Sequence, residues 1–541
     1  MIKSENTTTN YDAIIIGSGL GGLATASIMA KMLKWRVLVL ERHYVIGGHT
    51  QTFKRRGGYQ FDVGVHYVGG MFPGADERAV SDYLTNGNLD WNRMPEPFDK
   101  FCYPDFTFEL YADEARFQRE LIHKFPTERA AIKRYFKDIK KAENWGIRHY
   151  LKDLLPFGLS AIVKAMNKAT SALALSTTEA YLDKNFKSPV LKSLLTSQWP
   201  AYGQPPSKSA FVIHSAIARH YFRGGYFPKG GSAKIAETIM PIVEQQGGSF
   251  KKNHEVVEIL VKDGKAYGVK ALHKKSGKET PHTFHAPIIV SDVGAHNTYG
   301  KLLPKDVTNG ELKKLEPLMH ARSAVSLYMG LKGSPETLGF KGENHWLFNH
   351  IDHEQNYLNP NLLEGKINCG HLSFPSLKSP HDGQHTVEMF TFANYDDFTK
   401  WSNEPWMRRG DEYNRLKETI SDGMIDLIEK KHPGFRQLVD FKELSTPITF
   451  EHFTNHRKGV IYGLDPSPAR YREDWINTKT PVENLYMCGA DTLCVGIVPA
   501  MMSGVAAASH AAGSMGFLKV MGAILKEKSK WKKQALANQA K

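Results

Sequence analysis

The chain has 541 residues, more than one ordinary hydrophobic core absorbs, so two interleaved domains are expected. Hydrophobic residues make up 41% and charged residues 23%, which fits a globular protein and excludes disordered or fibrous classes. Lysine and arginine outnumber the acids 70 to 56, a net charge of +14 that favours an anionic partner; no nucleic-acid-binding module is present, so a membrane surface is the expected one.

In chain order, the apolar strand Ala13-Ile14-Ile15-Ile16 leads into Gly17-Ser18-Gly19-Leu20-Gly21-Gly22 and a helix. A second strand, Arg36 to Leu40, ends on Glu41, about 20 residues past Gly22, as a dinucleotide fingerprint requires. Gly17 allows the tight turn, Gly19 lets the backbone approach a pyrophosphate, and Gly22 lets helix pack on strand. The helix N-terminus, opening at Leu20, favours the phosphate charge. Glu41 would accept hydrogen bonds from an unphosphorylated ribose, so FAD or NAD is expected rather than NADP. Beyond it come Arg42-His43-Tyr44-Val45-Ile46-Gly47-Gly48-His49 and Phe61-Asp62-Val63-Gly64-Val65-His66-Tyr67, where the glycine pair suits a loop lying close to a ligand.

Two apolar, lysine-flanked segments suit the headgroup plane of a membrane: Leu151 to Leu175, and the tail Phe517 to Lys533 with Trp531 and a lysine cluster. Between them, an amphipathic helix is expected over 234–245 after the glycine-rich Gly224 to Ser232. Strands follow over 254–259 and 266–271, around a turn at Asp263-Gly264. Ile288 to Asp292 reads as a strand returning to the nucleotide domain, and 323–331 and 386–394 as strands facing a pocket. A short strand ends in Gly489-Ala490-Asp491, and a small-residue helix follows from Gly496 to Ala508. No run is long and apolar enough to span a bilayer, no signal peptide is visible, and the four cysteines are scattered. A cytoplasmic protein, peripheral at a membrane, is expected.

The fingerprint, the Gly47-Gly48 pair, the Phe61-Asp62-Val63-Gly64 segment and the Gly489-to-Asp491 turn together resemble the FAD-dependent amine oxidase and carotenoid desaturase superfamily. That resemblance implies FAD rather than NAD, and a Rossmann-like α/β domain with an interleaved α+β substrate domain. The nucleotide domain would comprise residues 1–95, 222–300 and 480–515, the substrate domain 96–221 and 301–479, and the basic tail 516–541. It also implies that the position of Val256 pairs with adenine, that Asp491 binds the pyrophosphate and ribityl region, and that the following helix, through Val498, aims its N-terminus at the flavin ring. The implied cofactor-binding residues are Gly17, Gly19, Leu20, Gly22, Glu41, Arg42, Gly47, Gly48, His49, Gly64, His66, Val256, Gly489, Asp491 and Val498.

Within the superfamily, the segments Pro205-Pro206-Ser207 to His214, His220-Tyr221, Gly225 to Gly231 and Leu485 to Asp491 are similar to the retinol saturase and carotenoid isomerase branch. One departure is visible. Retinol saturases have a Gly-Gly-Cys-Cys-His type segment where this chain has Gly47-Gly48-His49-Thr50, so the resemblance leaves open whether retinol is the substrate. The branch implies hydride transfer at a carbon–carbon double bond of a long lipid, as saturase, desaturase or isomerase, with amine oxidation second and a non-catalytic lipid escort third. NAD(P)H, binding transiently, is one of several candidate reductants. His49 and His66 are the expected proton donors, because histidine titrates near pH 6.5.

Overall fold

The computed structural model of the chain describes residues 11–308, 310–380 and 384–539, with side chains through 529. Its organising element is a five-stranded, all-parallel sheet in the order Leu485–Met487, Ile288–Ser291, Ala13–Ile16, Val37–Leu40, Ser249–Lys251. Ala13–Ile16 and Val37–Leu40 are buried at every position, as short apolar runs covered on both faces must be. Helices Leu20–Ile28, Lys234–Glu244 and Ile497–Ala511 cover one side of this sheet, while the antiparallel meander His254–Lys262, Lys265–Lys275, Lys278–His285 packs on the other. The meander's third strand is absent from the sequence expectation, because Lys278–His285 carries almost no apolar alternation.

A seven-stranded mixed sheet forms the second body, ordered Val439–Ser445, Ser323–Leu331, His385–Ala393, Cys369–Ser373, Asn344–Phe348, Asp99–Cys102, Thr107–Leu110. Only Asn344–Phe348 and Asp99–Cys102 run parallel in it. The architecture is therefore α/β, a Rossmann-like sheet with a second, mixed-sheet body. A helical lobe packs on one face of the mixed sheet, against Phe101, Trp346, Phe348 and Phe390. Its longest member, Arg129–Leu151, buries Ile132, Phe136, Ile139, Ala142 and Trp145, the stripe that a period of 3.6 residues brings to one face.

The expected tail helix spans Gly516–Gln539. Val520 and Ile524 are buried against the nucleotide core, and Lys528 pairs with Asp76 at 2.8 Å. Part of its apolar surface is therefore used in packing, while Leu518 and Leu525 stay exposed. Trp531, Lys532 and Lys533 lie outside the described side chains.

Candidate active site

The two bodies meet at a cleft of about 400 Å³, within the size range of cofactor and ligand sites. Its nucleotide end is built by the first turn of the chain. Gly17 has φ +93°, a conformation that side chains rarely adopt, and its amide is held by the carbonyl of Leu40 at 2.9 Å. A Cβ on Gly22 would stand 2.6 Å from the carbonyl of Gly17, so helix and turn touch directly.

Gly19 has an internal constraint besides a ligand. A Cβ there would come within 2.5 Å of Asp292 Oδ2, and one on Gly21 or Gly489 within 2.7 Å of Asp292 Oδ1. Gly19, Gly21, Gly22 and Gly489 thus leave room for one buried carboxyl behind the loop. Burial pushes Asp292 up to about 7, opposed by the amides of Gly22 and Gly19 and the thiol of Cys488. The carboxyl can take up a proton near neutrality, which offsets its repulsion of an anion at the same helix N-terminus.

The second glycine loop packs on the first. Gly47 and Gly48 have φ +128° and +56°, and a Cβ on Gly48 would meet Gly19 Cα at 2.9 Å. Ser18 ties the loops together, its Oγ donating to Glu41 Oε2 at 2.7 Å and accepting from Gly47 N at 3.0 Å. Glu41 also accepts from the amides of Ser18 and His43. Its two oxygens have further lone pairs, so it can still accept from a ribose. Arg42 reaches Glu255 at 3.6 Å beside Val256.

At the other end of the chain, Asp491 accepts from Leu464 N and Ala295 N, both at 2.8 Å, and so joins three segments at the cleft. Helix Ile497–Ala511 starts at Gly496 with φ +108° and turns its first residues towards the cavity.

The wall beside the mixed sheet brings buried ionisable groups together. His66 stacks on Phe390 at 5.6 Å, and its Nδ1 lies 3.4 Å from Glu388 Oε2. Neither of those two atoms has a hydrogen-bond partner among the described residues. Glu388 Oε1 accepts from Asp62 N at 2.6 Å, and burial pushes this carboxyl up to about 8. Beneath them Lys378 Nζ donates to His66 O, Asn344 Oδ1 and Ser373 Oγ at 2.7, 2.5 and 2.6 Å, and burial pulls it down to about 7. Asp99, pushed up to about 6 by burial, accepts from Tyr67, Gln198 and Asn344.

Burial sets the protonation of the two expected histidines. Burial, with His456 nearby, lowers His49 to about 4, and burial with Lys378 lowers His66 to about 3. Both shifts favour the neutral ring, in which one nitrogen keeps a proton and the other a lone pair. Desolvation outweighs the free-solution value on which the expectation rests.

Of the residues expected at the cofactor, Gly17, Gly19, Leu20, Glu41, Arg42, Gly48, His49, Gly64, His66, Val256, Gly489 and Asp491 line the cleft. Gly22, Gly47 and Val498 do not. Gly22 and Gly47 serve the packing of the two loops, and Val498 faces the nucleotide core while Ile497 and Ala500 face the cavity. Sequence reading missed Asp292, Glu388 and Lys378 as functional groups. It also missed the aromatic rings Tyr328, Phe390 and Tyr462, which the mixed sheet and a neighbouring loop bring to the cleft.

Residues 15–85 match the model of an NAD(P)-binding Rossmann-like domain. The chain is 33% identical to the all-trans-retinol 13,14-reductase of Danio rerio over 520 residues, 91% of this chain and 84% of that protein. It is 29% identical to a chloroplastic prolycopene isomerase of an Oncidium hybrid cultivar, over 94% of this chain and 85% of the relative. The fold is similar to that of cyclohexylamine oxidase from Brevibacterium oxydans, with a TM-score of 0.59 at 13% identity, covering 97% of this chain and 100% of that one. With the two glycine loops, the closing acid and the returning C-terminal turn assembled in one cleft, the chain belongs to the family of the all-trans-retinol 13,14-reductases.

Proposed function

We propose that this protein is an FAD-dependent oxidoreductase that reduces a carbon–carbon double bond of a long hydrophobic lipid: a retinoid, a carotenoid or an unsaturated fatty acid. Desaturation or cis–trans isomerisation of a polyene is the nearest second reading. The supporting observation is one continuous cleft joining Gly17, Glu41 and Val256 to a wall of Tyr328, Phe390 and Tyr462, in a chain similar to a named reductase along most of its length.

The residues fit a flavin dinucleotide. Gly19 and Gly48 meet backbone to backbone, so no side chain stands between either loop and a ligand, and the helix Leu20–Ile28 points its N-terminus the same way. Gly17, Gly19, Leu20, Glu41, Arg42 and Val256 would hold the ADP part, and Gly48, His49, Gly64, Gly489 and Asp491 the ribityl and ring part, with Ile497 and Ala500 in place of Val498. When bound, FAD supplies or accepts the hydride. Since the single glycine fingerprint is taken by FAD, NAD(P)H would act as a transient reductant.

Reducing an alkene also adds a proton to the second carbon. Glu388 holds that proton at neutral pH, and His66 carries it: Nδ1 faces Glu388, while the ring borders the cleft. The proton leaves Glu388 Oε2 for His66 Nδ1 as the proton on Nε2 passes to the substrate carbon; the relay resets when solvent protonates Nε2 and Nδ1 returns its proton to the carboxylate. Lys378 anchors the relay through the carbonyl of His66.

Anaerobic incubation of the reduced, flavin-loaded protein with retinoids, carotenoids and unsaturated fatty acids tests this reading by mass spectrometry of the lipids. A gain of about two mass units is expected from hydride plus proton addition. A loss or an unchanged mass at a new retention time would replace reduction by desaturation or isomerisation. Unchanged lipids alongside a reducible flavin would overturn the alkene reading and bring amine oxidation forward. A colourless protein that takes up no FAD would leave a lipid escort.

Access to such a substrate would come from an anionic bilayer at the cytoplasmic face. No helix among the described residues is long and apolar enough to cross a membrane. Helix Phe157–Lys168, however, exposes Phe157 (92%), Leu159, Ile162 and Met166 beside Lys164 and Lys168. It follows helix Arg129–Leu151, whose Tyr150 hydroxyl donates to the carbonyl of Leu493, three residues from cleft-lining Gly496. Burying Phe157 and Ile162 in lipid would contribute about 1.5–3 kcal/mol each. The double substitution Phe157→Asp, Ile162→Asp is therefore expected to weaken sedimentation with anionic vesicles by roughly tenfold or more, with flavin content unchanged.

A further inference from the structure

The meander carries three histidines on one face. His254 opposes His273, and Ala271 opposes His282, so all three rings share the side of the sheet that also presents Val256, Ala271 and Phe284. One ring nitrogen from each lies within 4.8 Å of the others. His254 and His273 stack at 4.5 Å, and His282 lies 5.5 Å from His254 by ring centroid.

The hydrogen bonding leaves their lone pairs available. His254 Nδ1 is 2.8 Å from the carbonyl of Lys252, and a carbonyl only accepts, so Nδ1 carries the proton and Nε2 the lone pair. A ring N–H bonded to a backbone carbonyl is also how metal-binding histidines are commonly oriented. The rings of His273 and His282 make no hydrogen bond or ion pair among the described residues. The neighbouring acids Glu255 and Glu279 are both paired with Lys274, at 2.6 and 3.1 Å, which leaves an all-nitrogen donor set.

We propose that His254, His273 and His282 form a binding site for one divalent transition-metal ion of the zinc, copper or nickel class. Three imidazoles suit these ions, whereas calcium and magnesium take oxygen ligands. Tetrahedral zinc with bonds of about 2.0–2.1 Å needs its nitrogens about 3.4 Å apart, so binding requires the stacked His254 and His273 rings to turn out of parallel as their nitrogens close by about an ångström. Water takes the fourth position, since His273 and His282 are only half-buried.

The ion would act as a structural tie. His254 N donates to the carbonyl of Glu41 at 2.8 Å, and Asn253 N to that of His43 at 3.1 Å, so the site sits where the meander joins the nucleotide strand. Binding there links three strands to the loop that carries Glu41, without touching hydride chemistry.

The test uses untagged, flavin-loaded protein stripped with a chelator and titrated with Zn²⁺ by calorimetry, and with Co²⁺ by visible absorption. One equivalent of Zn²⁺ per chain, a tetrahedral Co²⁺ spectrum and a zinc-dependent rise in melting temperature are expected. All three should be lost in His273→Ala and in His282→Ala. Should the alanine variants unfold, His273→Phe and His282→Phe keep the ring stack while removing the ligand, and the same losses are expected. Absence of stoichiometric binding in the parent, or binding that survives in the doubly substituted chain, would overturn the proposal.

Discussion

Replacing Glu388 by glutamine is expected to lower lipid reduction by about 10²–10⁴-fold, the usual contribution of a positioned acid, with flavin content and substrate KM little changed. Glutamine keeps the shape and can still accept from Asp62 N, but it has no acidic proton for His66. The pH dependence separates this role from a structural one. Because the carboxyl is pushed up to about 8, its protonated form dominates at neutrality, and parent turnover should fall as pH rises through that value. In Glu388→Gln the alkaline limb should vanish along with most of the rate.

Stability moves in the same direction. The unfolded chain releases this proton near the ordinary value of about 4.3 and the native chain near 8, so the favourable term is complete below the lower value and is lost as pH rises through the higher one. The glutamine variant should therefore melt with less loss at alkaline pH than the parent. A variant that keeps both the parent rate and its alkaline limb would remove Glu388 from the proton path.

What could be read in advance divides by how local the physics is. The fingerprint was legible because Gly17, Gly22 and Glu41 answer to a turn, a helix contact and a strand end within one short segment. The strands 323–331 and 386–394 were legible from their apolar runs, and they pair along their full length. Glu388 sat in the second of these, one acid among Thr386, Val387, Met389 and Phe390, and an acid inside an apolar strand was the available signal. Its importance depends on His66, more than 300 positions away, and no periodicity encodes that meeting. Asp292 was hidden for a similar reason, since the glycines that enclose it come from both ends of the chain. The histidines show the reverse: their identity was legible, but their protonation was not, because burial is a property of the assembled cleft.

Gly21→Ala tests whether that enclosure holds the cofactor. An added methyl would lie 2.6 Å from Gly489 N and 2.7 Å from Asp292 Oδ1, with Gly489 Cα at 3.1 Å behind them. None of these is the free end of a flexible side chain, so the C-terminal turn must move away from the glycine loop, carrying Asp491 with it. Overpacking of this kind costs about 1–3 kcal/mol in stability. The effect on FAD should be as large or larger, about 100-fold in Kd or 2.7 kcal/mol, because both loops would have to close on the same ligand. Gly522→Ala is the matched control: nothing lies within 4 Å of its added methyl, and alanine is the better helix former. The ratio of flavin to protein absorbance after purification, followed by FAD titration of the stripped chains, reads the difference directly. Equal flavin retention in the two variants would mean that the contact between the glycine loop and the C-terminal turn is packing alone, and that the cofactor is held elsewhere along the cleft.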